Sequence, residues 1–253
     1  MPVRRRSLAT LALTLAAAIA APAAAQETKP AASFTVAVNQ DNFFGFYPTF
    51  SGTYQVGKKT DFAFYGILWT IPAFGVGGGG GNLWTEFGVG ARFRAAGDKL
   101  AIKPQLGITN GSLLSGGAAG GATGNAGNGA AAFDGIVPSL TINYNSPKYE
   151  AEWYSGYYVA ARRPAGNVTL DFLHFWGNAG VKFAKIASVG VHYEQLRNTR
   201  NSDTGVGTNN YKWLGGYVQF ALPMGASARF TTGANTLDGA VGDFYKLGVS
   251  FGF

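Results

Sequence analysis

The sequence predicts an all-β protein, a single antiparallel transmembrane β-barrel of about twelve strands. Three features predict this fold class. Apolar and polar residues alternate with a period of two in segments of about ten residues, the connections between these segments are alternately short and long, and the N-terminus has the pattern of an export signal. The composition agrees, since only 13% of the 253 residues are charged while 14% are aromatic and 38 are glycine.

The N-terminal residues 1–25 are predicted to be a cleaved secretory signal peptide, which leaves residues 26–253 as the barrel. A basic start at Arg4–Arg6 precedes an apolar run over residues 8–20 and the small residues Ala23–Ala25. The run is shorter than the ~20 residues of a membrane-spanning helix, which argues against a membrane anchor. After cleavage, 17 bases and 13 acids remain, and this net charge of +4 is too mild to indicate a nucleic-acid partner.

The first six predicted strands each carry an apolar row that alternates with polar or small residues. The fourth is the clearest, because Phe87 and Val89 alternate with Glu86 and Gly88. The third is apolar on both faces, so its inward row stays open. With their apolar residues, the six are 33–39 (Phe34, Val36, Val38), 43–56 (Phe44, Phe46, Phe50, Tyr54, Val56), 62–71, 83–94 (Leu83, Phe87, Val89, Ala91, Phe93), 100–109 (Leu100, Ile102, Leu106, Ile108) and 135–145 (Ile136, Leu140, Ile142, Tyr144).

The last six predicted strands follow the same rule, and the apolar rows carry no mid-strand charge where the alternation is clear, so they can face lipid. Pro48, Pro104 and Pro138 lie inside predicted strands, where a missing ladder hydrogen bond predicts bulges or bends. The six are 149–159 (Tyr149, Ala151, Trp153, Tyr157, Val159), 172–183 (Leu173, Phe175, Ala179, Val181, Phe183), 188–194 (Val189, Val191, Tyr193), 212–222 (Leu214, Val218, Phe220, Leu222), 227–232 (Ala228, Phe230, Thr232) and 243–253 (Tyr245, Leu247, Val249, Phe251, Phe253).

The connections distinguish a barrel from a two-sheet sandwich, which explains the alternation but not the lengths. Short turns such as "GKKTD", "AAGDK" and "NSPK" alternate with long segments, among them the glycine-rich residues 72–82 and 111–132. We expect periplasmic turns and outer loops, respectively. The tetrad "NQDN" is short where a long loop is expected; without a turn there the count is eleven, although bacterial barrels are even-numbered, and ten or fourteen strands are the alternatives. Closure is required because lipid offers no partner to an unpaired strand edge.

The sequence resembles bacterial outer-membrane β-barrel proteins of the porin-like kind along the whole exported length. "YKLGVSFGF" is similar to their C-terminal assembly signal, with Tyr245, Gly248, Phe251 and Phe253 at the matching positions. The resemblance implies a bacterial outer-membrane location, contact with membrane lipid and recognition by the barrel-assembly machinery. "NQDNFFGFYPTFSGTY", "LWTEFGVG" and "VHYEQLR" resemble a group of uncharacterised predicted outer-membrane proteins, a likeness that carries no active site.

The predicted inner row holds the candidate functional residues, which are ionisable and line the lumen. Residues two apart on a strand are roughly 7 Å apart on one face, so Arg92 and Arg94, like Glu150 and Glu152, are like-charged neighbours that need compensation or water. The row can be a charged constriction that selects solutes or an ion-pair network that fills the barrel. The predicted lumen-lining residues are Glu86, Arg92, Arg94, Lys103, Glu150, Glu152, Lys182, His192, Glu194, Arg229 and Lys246.

An enzyme is the alternative from a different class of function. His192 with Glu194 could orient a catalytic imidazole, Ser188 lies on the same row, and Glu150 with Glu152 have a spacing compatible with glycoside hydrolysis. Any strand with two glutamates two residues apart has that spacing, however, and a histidine often fills a polar interior. No metal site or cofactor is predicted, because the chain lacks a close histidine pair and its glycine run "GVGGGGG" lacks the Lys-Ser/Thr of a phosphate loop.

The function predicted from these features is a passive outer-membrane pore for small solutes, lined by mixed charges. The alternatives are an outer-membrane hydrolase with a His/Glu site, and a structural or surface-binding barrel with a filled lumen; a soluble exported β-protein is a further possibility. Four aromatic residues near strand ends, Phe43, Phe46, Trp84 and Tyr157, are expected to form girdles at the membrane interfaces.

Overall fold

Twelve antiparallel strands form a closed barrel in the computed structural model, which confirms the predicted fold class. The structure describes residues 31–69, 84–111, 114–115, 132–163, 166–183, 186–239 and 242–253. The predicted signal peptide, the glycine run and most of the Gly/Ala tract lie outside these ranges. The strands are β1 (Ala32–Asp41), β2 (Gly45–Gln55), β3 (Thr60–Trp69), β4 (Trp84–Ala95), β5 (Leu100–Asn110), β6 (Gly135–Asn145), β7 (Tyr149–Ala160), β8 (Leu170–Phe183), β9 (Ala187–Asn201), β10 (Thr208–Ala221), β11 (Ala226–Asn235) and β12 (Asp243–Gly252).

Each strand pairs with its neighbours in sequence, and β1 pairs with β12 to close the sheet. The backbone N–H of Phe34 donates to the carbonyl of Phe253 (3.1 Å), and the N–H of Phe253 donates to the carbonyl of Phe34 (2.8 Å). Because a closed sheet has no free edge, every strand finds a hydrogen-bonding partner on both sides. Both ends of the barrel sequence therefore contribute to the seam.

The connections divide the barrel into two ends. The four-residue segments 56–59 and 96–99 and the three residues 146–148 lie at one end, together with the C-terminus, and we call it the turn end. Strands β1, β3, β5, β7, β9 and β11 end at the other, which we call the loop end because the sequence that follows most of them is longer. In the described ranges the helical residues form a 3-10 turn, Pro223–Gly225, and no helix there is long and apolar enough to cross a membrane.

The two faces of the sheet differ as the alternation predicts. Large apolar side chains such as Val191, Leu214 and Leu106 stand exposed on the outer face. Polar and ionisable side chains such as Glu86 and Glu194 are buried on the inner face. An apolar outer surface around a polar interior is the arrangement of a barrel that faces lipid.

Two local expectations are wrong. β1 continues through Asn39–Asp41, and the turn is formed by residues 42–44 instead of the full "NQDN" tetrad. The register does not shift at Pro104 or Pro138, so no bulge forms there, although the ladder is interrupted over two residue pairs that include each proline, as the missing N–H predicts. Their side chains lie on the outer face, and the register shifts occur at residues 171–172 and 209–211.

Candidate functional site

A cavity of about 450 Å³ lies inside the barrel and carries ionisable side chains on its wall. The exposed fraction of these side chains rises toward the turn end, from 0% for Glu194 through 19% for Lys246 to 30% for Glu152. Glu152 lies three residues from the turn end of β7, whereas Glu194 lies seven residues from that of β9. The cavity is therefore reached by water from the turn end.

An aromatic cluster packs inside the other half of the lumen, among the strands that the structure describes. Trp213 stacks on Phe244 and on Tyr211, with ring centroids 4.7 and 4.1 Å apart. Phe44 stands 4.6 Å from Trp69 by the same measure. The buried members of this aromatic cluster are Phe44, Trp69, Trp84, Leu196, Tyr211, Trp213 and Phe244.

Phe44 reaches across the barrel. It belongs to the turn between β1 and β2, yet its ring centroid is 5.7 Å from that of His174 on β8, which is on the opposite wall. The carboxylate of Asp41 holds the turn, because its Oδ1 accepts the backbone N–H groups of Phe43 (2.9 Å) and Phe44 (2.5 Å). A short Asx-type turn thus directs one phenyl ring into the centre of the lumen.

The alternation of the sequence predicts some of this aromatic cluster but not all of it. Trp84, expected in an interfacial girdle, is buried inside, as its place on the same row as Glu86 indicates. The same parity puts Trp213 and Phe244 on inner rows. The prediction that Phe44 lies on the apolar outer row of the second strand is wrong, because residue 44 belongs to the turn.

Glu194 binds four side chains at the boundary between the aromatic cluster and the cavity. Its Oε1 accepts the hydroxyl of Tyr211 (2.7 Å) and lies 2.9 Å from Nε2 of His174. Its Oε2 accepts a hydrogen bond from the ammonium group of Lys246 and lies 3.2 Å from Nε2 of His192. A fully buried carboxylate needs such partners, because an unpaired buried charge is strongly unfavourable.

Glu86 is a second fully buried carboxylate, on the other side of the lumen. Its donors are uncharged: the hydroxyls of Tyr65 (2.7 Å) and Tyr158 (3.0 Å) and the indole N–H of Trp69 (3.4 Å). Tyr65, Trp69 and Glu86 come from adjacent strands, while Tyr158 comes from β7. Three hydrogen bonds, two from β3 and one from β7, thus satisfy this buried carboxylate.

The like-charged neighbours predicted from the sequence have a counter-charge beside them. Asp61 Oδ2 lies 2.5 Å from Nε of Arg92 and 3.3 Å from Nε of Arg94. The sequence predicts Asp61 in the turn "GKKTD", and this is wrong because β3 begins at Thr60 and directs Asp61 inward.

Arg229 plays the corresponding part between Glu150 and Glu152. Its Nη2 lies 3.9 Å from Oε1 of Glu150, and its Nη1 lies 3.3 Å from Oε2 of Glu152. Lys182 lies 3.9 Å from Glu150, and Lys103 interacts electrostatically with Glu152. The arrangement is a mixed-charge ring near the turn end.

Two tyrosines lie flat over glycines on neighbouring strands. A Cβ on Gly88 would lie 2.1 Å from Tyr65, and one on Gly107 would lie 2.3 Å from it. Tyr217 covers Gly180 and Gly190 in the same way. The hydroxyl of Tyr65 donates to Glu86, and that of Tyr217 donates to an acid in the mixed-charge ring (2.7 Å). The glycines thus leave room for tyrosine rings whose hydroxyls donate hydrogen bonds to carboxylates in the lumen.

The geometry around the histidines bears on the enzyme alternative. His192 Nδ1 lies 2.7 Å from Oδ1 of Asn178, while Nε2 faces Glu194. Ser188 donates to Glu150 (2.7 Å). In the strands that the structure describes, no serine or threonine hydroxyl is hydrogen-bonded to either histidine. No group of three His, Cys, Asp or Glu side chains among the described residues could hold a metal ion.

The predicted assembly residues lie along β12 and just beyond it. Tyr245 and Phe251 are exposed on the outer face, Gly248 lies on the inner row beside Asn39, and Phe253 follows the strand with its side chain 78% exposed. The side chain of Phe253 therefore adds little packing, whereas its backbone closes the seam.

Comparison with known proteins assigns the family. Residues 3–253 match the model of a family of unknown function, DUF6733. The chain belongs to that family. No curated protein sequence matches it. Membership of a family of unknown function agrees with the predicted likeness to uncharacterised outer-membrane proteins.

Solved structures share the architecture of this DUF6733 protein. The COG4313 outer membrane channel from Pseudomonas putida F1 superposes with a TM-score of 0.53 at 10% identity, over 90% of this chain and 97% of that chain. The KdgM porin gives a TM-score of 0.48 at 11% identity, over 87% and 99% of the two chains. The fold and the apolar outer surface are those of a bacterial outer-membrane β-barrel. They agree with the outer-membrane location that the sequence predicts. In such barrels the turn end faces the periplasm and the loop end faces outward.

Proposed function

We propose that this protein is a narrow channel for small hydrophilic solutes, with its cavity open to the periplasm and its outer half closed by the aromatic cluster. The observation that carries the proposal is a mixed-charge cavity whose ionisable side chains are increasingly exposed toward the turn end and which ends on the aromatic cluster. Channels use charged rings to select solutes and apolar constrictions to gate them. The named channel from Pseudomonas putida F1 has the same fold, which agrees with this proposal.

The element best placed to act as the gate is Phe44. Phe44 sits on a three-residue turn, whereas the other aromatic residues of the cluster project from strands, where Trp213 is paired on both sides and the rest on at least one. Two hydrogen bonds from Asp41 hold that turn. A shift of the turn would withdraw the ring from His174 and Trp69, and a path along the lumen would open.

Conductance across a planar lipid bilayer tests the channel. We expect small, brief openings for the natural protein, and a several-fold larger conductance for Phe44→Ala, because the substitution removes the ring that crosses the lumen. Phe230→Ala is the matched control, since this exposed phenylalanine lies on the outer face. Its conductance should equal that of the natural protein.

A second candidate function is a barrel whose lumen stays closed. It is favoured by Glu86 and Glu194, fully buried glutamates whose hydrogen bonds tie the walls together at the level of the aromatic cluster. If neither the natural protein nor Phe44→Ala conducts, while both migrate as folded barrels on heat-modifiability gels, the channel proposal is wrong and the closed barrel is correct. Both candidate functions require export, for which we propose that residues 1–25 are the cleaved signal peptide.

A further inference from the structure

Two bases depart from the apolar character of the outer face, and both lie near the loop end. Arg197 on β9 is exposed on the outer row, and Lys212 lies on the outer row of the neighbouring β10. Ten residues separate Arg197 from Ala187, where β9 begins at the turn end. With a rise of about 3.3 Å per residue and a tilt of about 40°, ten residues climb about 25 Å, which is the height of the apolar band of such barrels. The bases therefore lie at the level of the outer-leaflet headgroups.

Neither base has an acidic partner within ion-pair distance in the described part of the chain. Their cross-strand neighbours are neutral: Asn209 lies opposite Arg197, and Gln195 lies opposite Lys212. Gln195 Nε2 donates to Asn209 Oδ1 (2.7 Å), so the two amides bind each other. On β8, Asp171 is the acid nearest to Arg197 and is already paired with Arg200 (Nε–Oδ2 2.5 Å), and Asp243 lies two strands from Lys212 on β12. This polar patch is positively charged.

An apolar groove of about 380 Å³ begins directly below the patch on the same outer surface. One row of paired residues crosses it, in the order Leu214, Tyr193, Gly177, Trp153 and Ile142. Glycine in the middle of this row leaves the space that the large side chains border.

The groove descends into the apolar band. Leu214, two residues from Lys212, lies seven residues above the turn end of β10 at Ala221. Ile142, at the far side, lies only three residues above the end of β6 at Asn145. A chain that starts at the patch and follows the groove therefore runs obliquely toward the middle of the membrane.

The geometry points to a binding site for a phosphorylated glycolipid of the outer leaflet, with a phosphate on Arg197 and Lys212 and an acyl chain in the groove. The charge of the patch complements phosphate, and guanidinium and ammonium groups are both good phosphate donors. The apolar groove accommodates a hydrocarbon chain but no polar solute. The site lies on the outer surface and is independent of whether the lumen conducts.

Fluorescence can test the site because Trp153 is the one outward-facing tryptophan of the five in the chain. The other four line the cavity or belong to the aromatic cluster. The purified barrel in detergent is titrated with bisphosphorylated lipid A that carries brominated acyl chains, which quench a tryptophan in contact with them. We expect saturable quenching, and we expect Trp153→Phe to abolish it.

Charge variants identify the phosphate site. A base near an anionic lipid surface changes affinity about 5-fold, so we expect Arg197→Gln with Lys212→Gln to raise the half-quenching concentration about 30-fold. Lys58→Gln with Lys59→Gln, a pair of exposed lysines at the turn end, should leave it unchanged. The proposal is overturned if the Arg197/Lys212 double variant, folded by heat-modifiability, binds like the natural protein, or if lipid A without phosphates quenches equally well.

Discussion

The residue Glu194 illustrates how one buried carboxylate organises the middle of the barrel. The period-2 alternation of the sequence places Glu194 on the inner row. It shows which face of the sheet the side chain is on, but not which side chains it binds. Its donors Tyr211, His174 and Lys246 come from β10, β8 and β12. These contacts join positions up to 52 residues apart in the sequence, which no local pattern can pair. For the same reason the sequence predicts the presence of Glu86 in the lumen but not the tyrosines that bind it.

Replacing Glu194 by Gln should destabilise the folded barrel strongly. The substitution leaves the ammonium of Lys246, which is 19% exposed, beside a neutral amide in place of a fully buried carboxylate, and breaking a buried ion pair costs about 3–5 kcal/mol. Glu152→Gln is the matched control: its ion pair with Arg229 is partly hydrated, so we expect a loss of about 1 kcal/mol or less. Urea titration of the barrel in lipid vesicles, followed by tryptophan fluorescence, measures both. Equal losses would contradict a central role of Glu194.

At the scale of the elements, the alternation within each strand predicts which residues face the lumen in most strands. Where the alternation is ambiguous, pairing with the neighbouring strand decides the inner row. The fourth and twelfth strands have clear alternation, and both are found with the predicted inner rows. The third strand is apolar on both faces, so Asp61 could not be placed; its pairing with β4 sets the inward row. The turn at residues 42–44 escaped prediction because Asp41 reads equally well as a turn residue and as the end of a strand.

The tyrosine rings over glycines give a prediction for paired strands. Gly180→Ala should displace Tyr217, since the new Cβ would lie 2.2 Å from its hydroxyl and 2.7 Å from the backbone carbonyl of Val189. We expect a loss of about 1–3 kcal/mol of unfolding free energy. Gly216→Ala is the matched control on β10: its nearest contact is an ordinary 3.4 Å, so we expect no loss. Both are measured by the urea titration, and a harmless Gly180→Ala would show that the ring can move aside freely.

For the whole molecule, closure decides whether a barrel exists at all. The register of β1 with β12 runs from Asp41 opposite Lys246 to Thr35 opposite Gly252, and the two hydrogen bonds between Phe34 and Phe253 continue it by one step. A strand edge left unpaired in lipid is strongly unfavourable. The predicted closure follows from this requirement alone, whereas closure of the lumen depends on where aromatic side chains stand along the axis, which alternation does not specify.

Changes at Phe253 separate closure from recognition. Deleting Phe253 removes two seam hydrogen bonds, while Phe253→Asp keeps the backbone and removes only an exposed aromatic side chain. We predict that both changes block assembly in cells, which is the outcome expected from the resemblance of this strand to an assembly signal recognised through its last aromatic residue. In lipid vesicles without that machinery, Phe253→Asp should fold as the natural chain does, and the deletion should fold less completely.

The measurements are the amount of heat-modifiable barrel in outer membranes and the yield of folding into vesicles. Phe220→Ala is the matched control, a half-exposed phenylalanine on the outer face near the same end, and it should assemble normally in both settings. Normal assembly of Phe253→Asp in cells would refute recognition of the side chain. Normal folding of the deletion in vesicles would show instead that the seam closes without its last pair of hydrogen bonds, so that the remaining ladder between β1 and β12 is sufficient to hold the barrel shut.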